Sequence, residues 1–365
     1  MNRTERQTLG INKWVNSGLK GTCLYPTGFG KTRTALAAIK RFLAKNPSRK
    51  VLVVVPTDYL KEQWILQVVD EKLFNSVDVK IINTVVKNSY NIDLLVLDEI
   101  HQYAAETFYE VFEKVKYKII LGLTGTIDRL DGKQTLLTDK CPIIDQLTME
   151  EAIKNKWLAP YTEYKVLVEV DDIDVYKKHN EDFMKYFAKF NFDFDLAMQC
   201  VSGVKVGNRI IKKAHQVQYD YAKKICTISP YSSTYNDAVR QIFGEIKASA
   251  FAWNRALRAR KEFVMNHPKK IEITKKILEA RKDKKAITFS ATIKAAEEIG
   301  IGYVLHSGKT KKKRGIVKDE FDKLDTGVLN TSKALDVGAD VPGLNLGIIL
   351  CNTSSSIQKR QRLNV

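Results

Sequence analysis

Four stretches of nearly unbroken Val, Ile and Leu decide what this chain can fold into: KVLVVVP at 50–56, DVKIINTVV at 78–86, IDLLVLDE at 92–99 and YKIILGLTGT at 117–126. A strand with one face in water alternates apolar and polar residues, whereas a strand covered on both faces does not. Runs this continuous predict a parallel sheet with helices on both faces. A shorter run, GTCLYP, and the helix-forming KTRTALAAIKRFLAKN precede them. In such sheets the chemistry gathers at the carboxyl ends of the strands. Residues 150–275 break the pattern with helical, aromatic segments such as YKKHNEDFMKYFAKFNFDFD and SAFAWNRALRARKEF. From about residue 270 the alternation returns in KKAITFSAT, IGYVLHSG, DTGVLNTS and NLGIILCN. The reading is an α/β protein with parallel-sheet domains at 1–165 and 269–365, joined by a helical, basic segment at 166–268.

Charge narrows the partners. The chain carries a net +18, and residues 201–300 alone hold 21 Lys and Arg against nine Asp and Glu. So basic a surface points to a polyanion, whose phosphates release counterions when they are neutralised. The bland alternative is a solvated lysine-rich surface. A membrane surface fits less well, because no amphipathic helix with a clean apolar face accompanies the charge. No run of 18 apolar residues exists, and MNRTERQTLG has no apolar segment behind its charges, so neither a spanning helix nor a secretory signal is expected. Five cysteines are scattered with no C-x-x-C pair, which suits a reducing cytoplasm and argues against a metal knuckle.

Two motifs carry chemistry. PTGFGKT at 26–32 lies between a strand and a helix, the setting that makes it a phosphate loop. Gly28, Phe29 and Gly30 would bend the backbone so that its N–H groups face a phosphate. Lys31 would reach the β- and γ-phosphates, and the Thr32 hydroxyl would hold Mg²⁺. Tyr25 stands where the usual pattern has its first glycine. The second motif, DEIH, follows an apolar strand, and its Asp98 comes 67 residues after Lys31. Asp98 would bind the metal and Glu99 would orient and deprotonate the attacking water, with His101 close by. Either motif alone has a structural explanation, an ordinary turn or a charged strand end. Together they predict ATP hydrolysis with Mg²⁺.

The order PTGFGKT, VVVPTDYLKEQW, DEIH, LGLTGT resembles the first motor domain of the superfamily-two DExH helicases, and FDKLDTGVLNTSKALDVGADVP resembles the second. Within that superfamily, GLTGTIDRLDG and EAIKNKWLAPY are similar to the group holding phage branch-migration helicases (UvsW-like), RecG-like fork-remodelling helicases and restriction-enzyme motors. The resemblance implies two RecA-like domains and an ATP-dependent motor on DNA. It further implies work on forks and junctions in replication, recombination or repair, by a monomer in the cytoplasm, the host's if phage-encoded. Gln7 would read adenine as the family's early glutamine does, or is a plain surface side chain. Pro56, Thr57 and Thr84 at strand ends would contact nucleic-acid phosphates. Thr124, Gly125 and Thr126 would couple hydrolysis to domain movement, and Ile127 stands where the group has proline.

In the second domain Thr331 and Ser332 would contact nucleic acid, while Gly338 and Asp340 would face the nucleotide. Arg255 and Arg258, with Arg260 and Trp253 on the same helical stretch, would clamp a branch or cap a domain interface. The lysine run KTKKKR at 309–314 reads more readily as a solvated turn than as a site. Gln361 and Arg362 begin the family's last motif, but its two later arginines have no counterpart before Val365. A chain ending there is expected to hydrolyse ATP weakly, since a lost arginine finger costs several orders of magnitude in rate. An RNA helicase and a nucleic-acid-binding module with a weakened motor are the competing readings. A restriction-type motor is disfavoured, because no P-D…(D/E)-x-K nuclease signature is present.

Overall fold

The computed structural model describes residues 1–127, 132–206, 209–332 and 341–351. They fall into two compact units: Met1–Lys165, Lys282–Phe289 and the described part of Gly302–Val365 form one, and Val166–Arg281 with Ser290–Ile301 the other.

The first unit carries two main sheets, besides a short parallel pairing of Tyr90–Asn91 with Val115–Lys116. The larger is built from β1 (Lys20–Leu24), β2 (Val51–Val55), β3 (Val77–Ile81), β4 (Leu94–Asp98), β5 (Ile119–Thr124) and β6 (Ile143–Gln146), in the order β3-β2-β4-β5-β1-β6. Each neighbouring pair is parallel. All five residues of β2 and all five of β4 are buried, as the unbroken apolar runs require. Two separate apolar clusters cover the sheet's faces, one around Trp14, Ile39 and Trp64 and the other around Leu97, Ile100 and Tyr103. Helices α1 (Arg3–Asn16), α2 (Lys31–Ala44) and α3 (Asp58–Asp70) belong to this half. Asn2 and Glu5 close a capping box at the start of α1, which holds the helix in register for the contacts described below.

Two differences from the sequence reading have simple causes. The run at 78–86 is only half strand: Ile82–Val85 is one helical turn, with Ile82 and Val85 buried and Asn83 and Thr84 exposed. Burial at i and i+3 is a helical signature that a β-branched run conceals. Strand β6 was not anticipated, because IIDQ is too short to stand out; its buried Asp145 does its work through side-chain bonds instead.

The smaller sheet comprises β9 (Lys285–Ser290), β10 (Tyr303–His306), β11 (Gly327–Ser332) and β12 (Leu346–Ile349), in the order β10-β11-β9-β12. Helices α9 (Ile293–Glu298) and α10 (Lys311–Asp322) lie between its strands in sequence.

The second unit is mostly helical: α4 (Ile173–Phe187), α5 (Phe194–Ser202), α6 (Ala214–Ile225), α7 (Tyr235–Met265) and α8 (Pro268–Ala280). A hairpin of β7 (Val204–Val206) and β8 (Arg209–Lys212) interrupts the helices. Trp253 on α7 is fully buried among the rings of Phe183, Phe187, Phe190 and Phe194, all within 6.4 Å of it centroid to centroid. The aromatic richness of this segment is therefore largely core. No described helix is long and apolar enough to cross a membrane.

Candidate nucleotide site and nucleic-acid contacts

The loop between β1 and α2 is shaped by two glycines that no other residue replaces cheaply. Gly28 and Gly30 have φ of +81° and +94°, a region that costs an L-residue about 1–2 kcal/mol. Gly30 is the residue preceding α2, which has no side-chain cap and no acidic residue in its first turn. The first N–H groups of that helix are thus left for an outside anion, and the helix dipole favours a negative one.

Helix α1 fixes the loop from behind. The Gln7 amide donates to the Phe29 carbonyl at 2.9 Å, and the Arg3 Nε–H donates to the same oxygen at 2.8 Å. Gln7 is buried, so the plain-surface alternative for it falls; its Nε2 is engaged by the loop itself. Phe29 serves as an anchor: its ring is buried between Tyr25 and Trp157, and its N–H donates to the Pro26 carbonyl.

Tyr25 explains the missing first glycine. Its hydroxyl donates to Asp145 Oδ2 at 2.5 Å, and Asp145 also receives Arg6 and, at 2.7 Å, Lys13. The Tyr25 side chain points into the body of the domain, past Gly10, where an added Cβ would lie 1.8 Å from the hydroxyl. Burial works against ionisation of Asp145, but Arg6, Lys13 and Tyr25 together hold its carboxyl below the usual range. Arg6, Lys13 and Asp145 were not singled out in the sequence, and no short motif joins residues 120 or more apart.

The acidic motif meets this loop. Strands β1 and β4 end near one another, separated by β5, and Lys31 Nζ lies 3.3 Å from Glu99 Oε1. Glu99 has φ +50°, a strained backbone for a non-glycine residue. Its Oε2 lies 3.4 Å from His101 Nδ1 and accepts the Thr124 hydroxyl at 3.4 Å. His101 Nδ1 is 2.8 Å from Thr124 Oγ1, which in turn is 2.6 Å from the Thr126 carbonyl. A Cβ on Gly125 would stand 3.6 Å from Lys31 Nζ. The loop lysine, the acidic pair, His101 and the Thr124-Gly125-Thr126 segment therefore form one buried network. Ile127 packs in the apolar cluster on that side of the sheet, which accounts for an aliphatic residue at a position where the related group has proline.

Asp98 and Glu99 are tuned apart. Burial, then the neighbouring Glu99 charge, push the Asp98 carboxyl above its ordinary range. For Glu99 burial acts in the same sense, but the Lys31 ammonium and the His101 ring outweigh it and hold the carboxyl low. Asp98 accepts the Trp64 indole N–H at 2.8 Å on Oδ2 and the Glu99 amide at 3.0 Å on Oδ1. Each oxygen keeps a lone pair, and the group is a buried carboxylate short of positive charge. With the Thr32 hydroxyl in the first turn of α2, this donor set suits a hard cation. Among the described residues no three acidic, His or Cys side chains gather to hold a metal alone.

The nucleic-acid candidates divide. Pro56 and Thr57 follow β2 half-exposed, with Thr57 capping α3 through the Leu60 N–H, and Thr84 is exposed in the turn after β3. Arg255 and Arg258 are exposed on α7. Arg260 differs, with its guanidinium 4.2 Å over the Phe183 ring, and the buried Trp253 is not available to stack on a branch. Thr331 and Ser332 are buried within β11, and the Thr331 hydroxyl donates to the Thr288 carbonyl at 2.8 Å. A strand covered on both faces turns even its hydroxyls inward, so these side chains do not face a phosphate. In the lysine run, Lys309 donates to the Val304 carbonyl and Thr310 caps α10. Gly338, Asp340, Gln361 and Arg362 lie outside the described residues.

Comparison with known proteins bears on the same segments. The family model for the type III restriction enzyme res subunit matches residues 2–90 and 72–129, and that for the helicase conserved C-terminal domain matches 269–364. The chain is 24% identical over 377 aligned positions to the DNA 3'-5' translocase XPB2 of Sulfurisphaera tokodaii, covering 98% of this chain and 76% of that protein. A putative ATP-dependent RNA helicase of African swine fever virus is 32% identical over 136 residues, 30% of this chain and 26% of its own length. A probable helicase of Escherichia phage T5 is 30% identical over 129 residues, 31% of this chain and 28% of its own. The chain thus spans about a quarter of each of these two viral relatives. The crystal structure of the Pyrococcus furiosus Hef helicase domain is similar at a TM-score of 0.49 and 18% identity, over 97% of this chain and 92% of that one. Between them the two family models cover residues 2–129 and 269–364, each half built on its own RecA-like parallel sheet, and the chain belongs to the superfamily-two helicases, enzymes driven by ATP.

Proposed function

We propose that this chain is an ATP-dependent DNA translocase or helicase that remodels branched DNA such as forks and junctions. The observation that carries the nucleotide chemistry is the 3.3 Å approach of Lys31 to Glu99, which brings residues 68 apart in the chain together at the carboxyl ends of β1 and β4. In the proposed cycle the α2 N–H groups and Lys31 bind the triphosphate, and Lys31 leaves Glu99 to do so. Thr32 and Asp98 would hold Mg²⁺, which neutralises charge developing on the phosphates. Glu99, freed of Lys31, accepts the proton of the attacking water, and His101 and Thr124 keep its carboxylate aimed. Thr124 then reports the change in Glu99 to the Gly125-Thr126 backbone.

DNA is preferred over RNA because the relative aligned along nearly the whole chain is named a DNA translocase, whereas those named RNA helicases align over about a third of it. The net charge of +18 supports a phosphate-rich track of either kind. The branched-DNA preference rests on the similarity of GLTGTIDRLDG and EAIKNKWLAPY to the fork- and junction-acting group. The test is ATP turnover and strand exchange with a four-way junction, a fork, a plain duplex, a single strand and an RNA duplex. Stimulation should be greatest with the fork or junction and absent in Lys31→Ala. Stimulation by RNA alone would move the reading to an RNA helicase, and turnover indifferent to all five would remove the motor.

A further inference from the structure

Beside the hairpin of the second unit lies an open groove of about 510 Å³, lined by Ile211, His215, Tyr219 and Phe243 together with the ion pair Lys212–Asp220. Its volume is within the range of small-ligand sites, about 300–1,000 Å³. Its walls are mixed, with Ile211, Tyr219 and Phe243 supplying apolar and aromatic surface between Lys212, His215, Gln216 and Asp220. Tyr219 and Phe243 meet edge to face at 5.9 Å, and the Lys223 ammonium lies over the Tyr219 ring, 4.6 Å from its centroid. The hairpin is bare on both sides, with Ile210 58% and Ile211 63% exposed.

The groove continues onto α7. The face of that helix bearing Ile246, Ala250, Trp253 and Ala256 is buried. The outward face carries Phe243, Lys247, Phe251, Arg255 and Arg258, with Phe251 56% exposed. On a helix these positions fall on one stripe, about 22 Å long from Phe243 to Arg258 at 1.5 Å per residue. Charge complements it: residues 201–225 hold six Lys and Arg against one Asp, and that Asp220 is already paired with Lys212. Aromatic faces interleaved with cations are the chemistry that grips a single nucleic-acid strand, bases stacking while ammonium and guanidinium groups take the phosphates.

We propose that the groove at Tyr219 and the outward stripe of α7 form a track for unpaired single-stranded nucleic acid, with one base seated against Tyr219 and Phe243. The proposal rests on the motor reading above, to which it adds a grip on the separated strand outside the parallel-sheet domains. It also places the exposed Arg255 and Arg258 on the same outward stripe as Phe251.

The test uses the full chain and a fluorescein-labelled dT20 oligonucleotide, followed by anisotropy at several salt concentrations. Tyr219→Ala and Phe251→Ala should each weaken binding about 5- to 100-fold, the loss of one stacked base, while Tyr219→Phe stays within about twofold. Lys223→Ala with Lys247→Ala should lower the salt slope by about 1.4, two phosphates' worth. A dT20 oligonucleotide carrying 5-bromodeoxyuridine should crosslink to peptides containing Tyr219 or Phe251 in the unaltered protein, which decides the matter even if a variant fails to fold. Wild-type-like binding by Tyr219→Ala and Phe251→Ala, or crosslinks confined to residues 1–165, would overturn the track and leave the motor reading standing. ATP turnover insensitive to every nucleic acid would overturn the motor reading, and crosslinking at Tyr219 would still uphold the track.

Discussion

Replacing Gly30 by alanine tests whether the phosphate loop is held by the contacts described. Two effects add. The residue must keep φ near +94°, which costs alanine about 1–2 kcal/mol. Its Cβ would also stand 2.7 Å from Gln7 Nε2 and 3.3 Å from Arg3 Nη2. The Gln7 amide must then leave the Phe29 carbonyl, at a net loss of about 0.5–1.5 kcal/mol. Together these amount to about 1.5–3.5 kcal/mol, or roughly 10- to 300-fold in nucleotide affinity. The loop escapes by abandoning its cradle shape rather than by unfolding the domain, so urea stability should change little. The assay is titration with a fluorescent ATP analogue. A double-mutant cycle with Gln7→Ala isolates the steric part: in that background the amide is gone, and Gly30→Ala should cost only the backbone share. A coupling of about 1 kcal/mol is expected. Strict additivity, or Gly30→Ala binding within twofold of wild type, would refute the proposed strut between α1 and the loop.

Three further outcomes follow from the same geometry. Glu99→Gln should lower turnover by about 10²–10⁴-fold as the base is lost; because Lys31 no longer has a carboxylate at 3.3 Å to leave, ATP should bind as well as or better than in wild type by equilibrium titration. Asp145→Ala should destabilise the protein by about 3–5 kcal/mol at pH 7, measured in urea, since it strands Arg6. The Asp145 carboxyl is held low in the folded state, so its contribution is full above the unfolded value near 3.9 and is lost as pH falls through the folded one; the gap between variant and wild type should therefore narrow below about pH 4. Trp64→Phe removes a bond to ionised Asp98, worth about 1.5–3 kcal/mol. The acidic limb of kcat/KM for ATP should then move up by about 1–2 pH units, and an unmoved limb would show that Asp98 is not the group titrating.

Much of the candidate site's placement was legible because it is encoded over short spans. Gly28, Gly30, Lys31, Asp98 and Glu99 each sit where a strand ends, and both the strands and the turn glycines are local properties of the chain. Misreadings arose where a residue's exposure depends on what covers it. Thr331 and Ser332 look like phosphate contacts in sequence, yet both are buried in β11; the sequence left Gln7 open between a nucleotide-site residue and a surface side chain, and α1 lays it against the loop. Trp253 and Phe251 are two residues apart on one helix, and nothing in their neighbours' identities says that the first is core and the second is bare.

By itself the amino-acid order determined the parallel-sheet α/β class and the two motifs, PTGFGKT and DEIH, at strand ends, because backbone preference and apolar periodicity act over a few residues. Only the tertiary structure decided that Tyr25 is a strut reaching Asp145, that Lys31 rests on Glu99, and that Tyr219 meets Phe243 edge to face beside the Lys223 ammonium. Those facts depend on contacts between residues far apart in the chain, and such contacts are chosen by how whole elements pack rather than by any local signal.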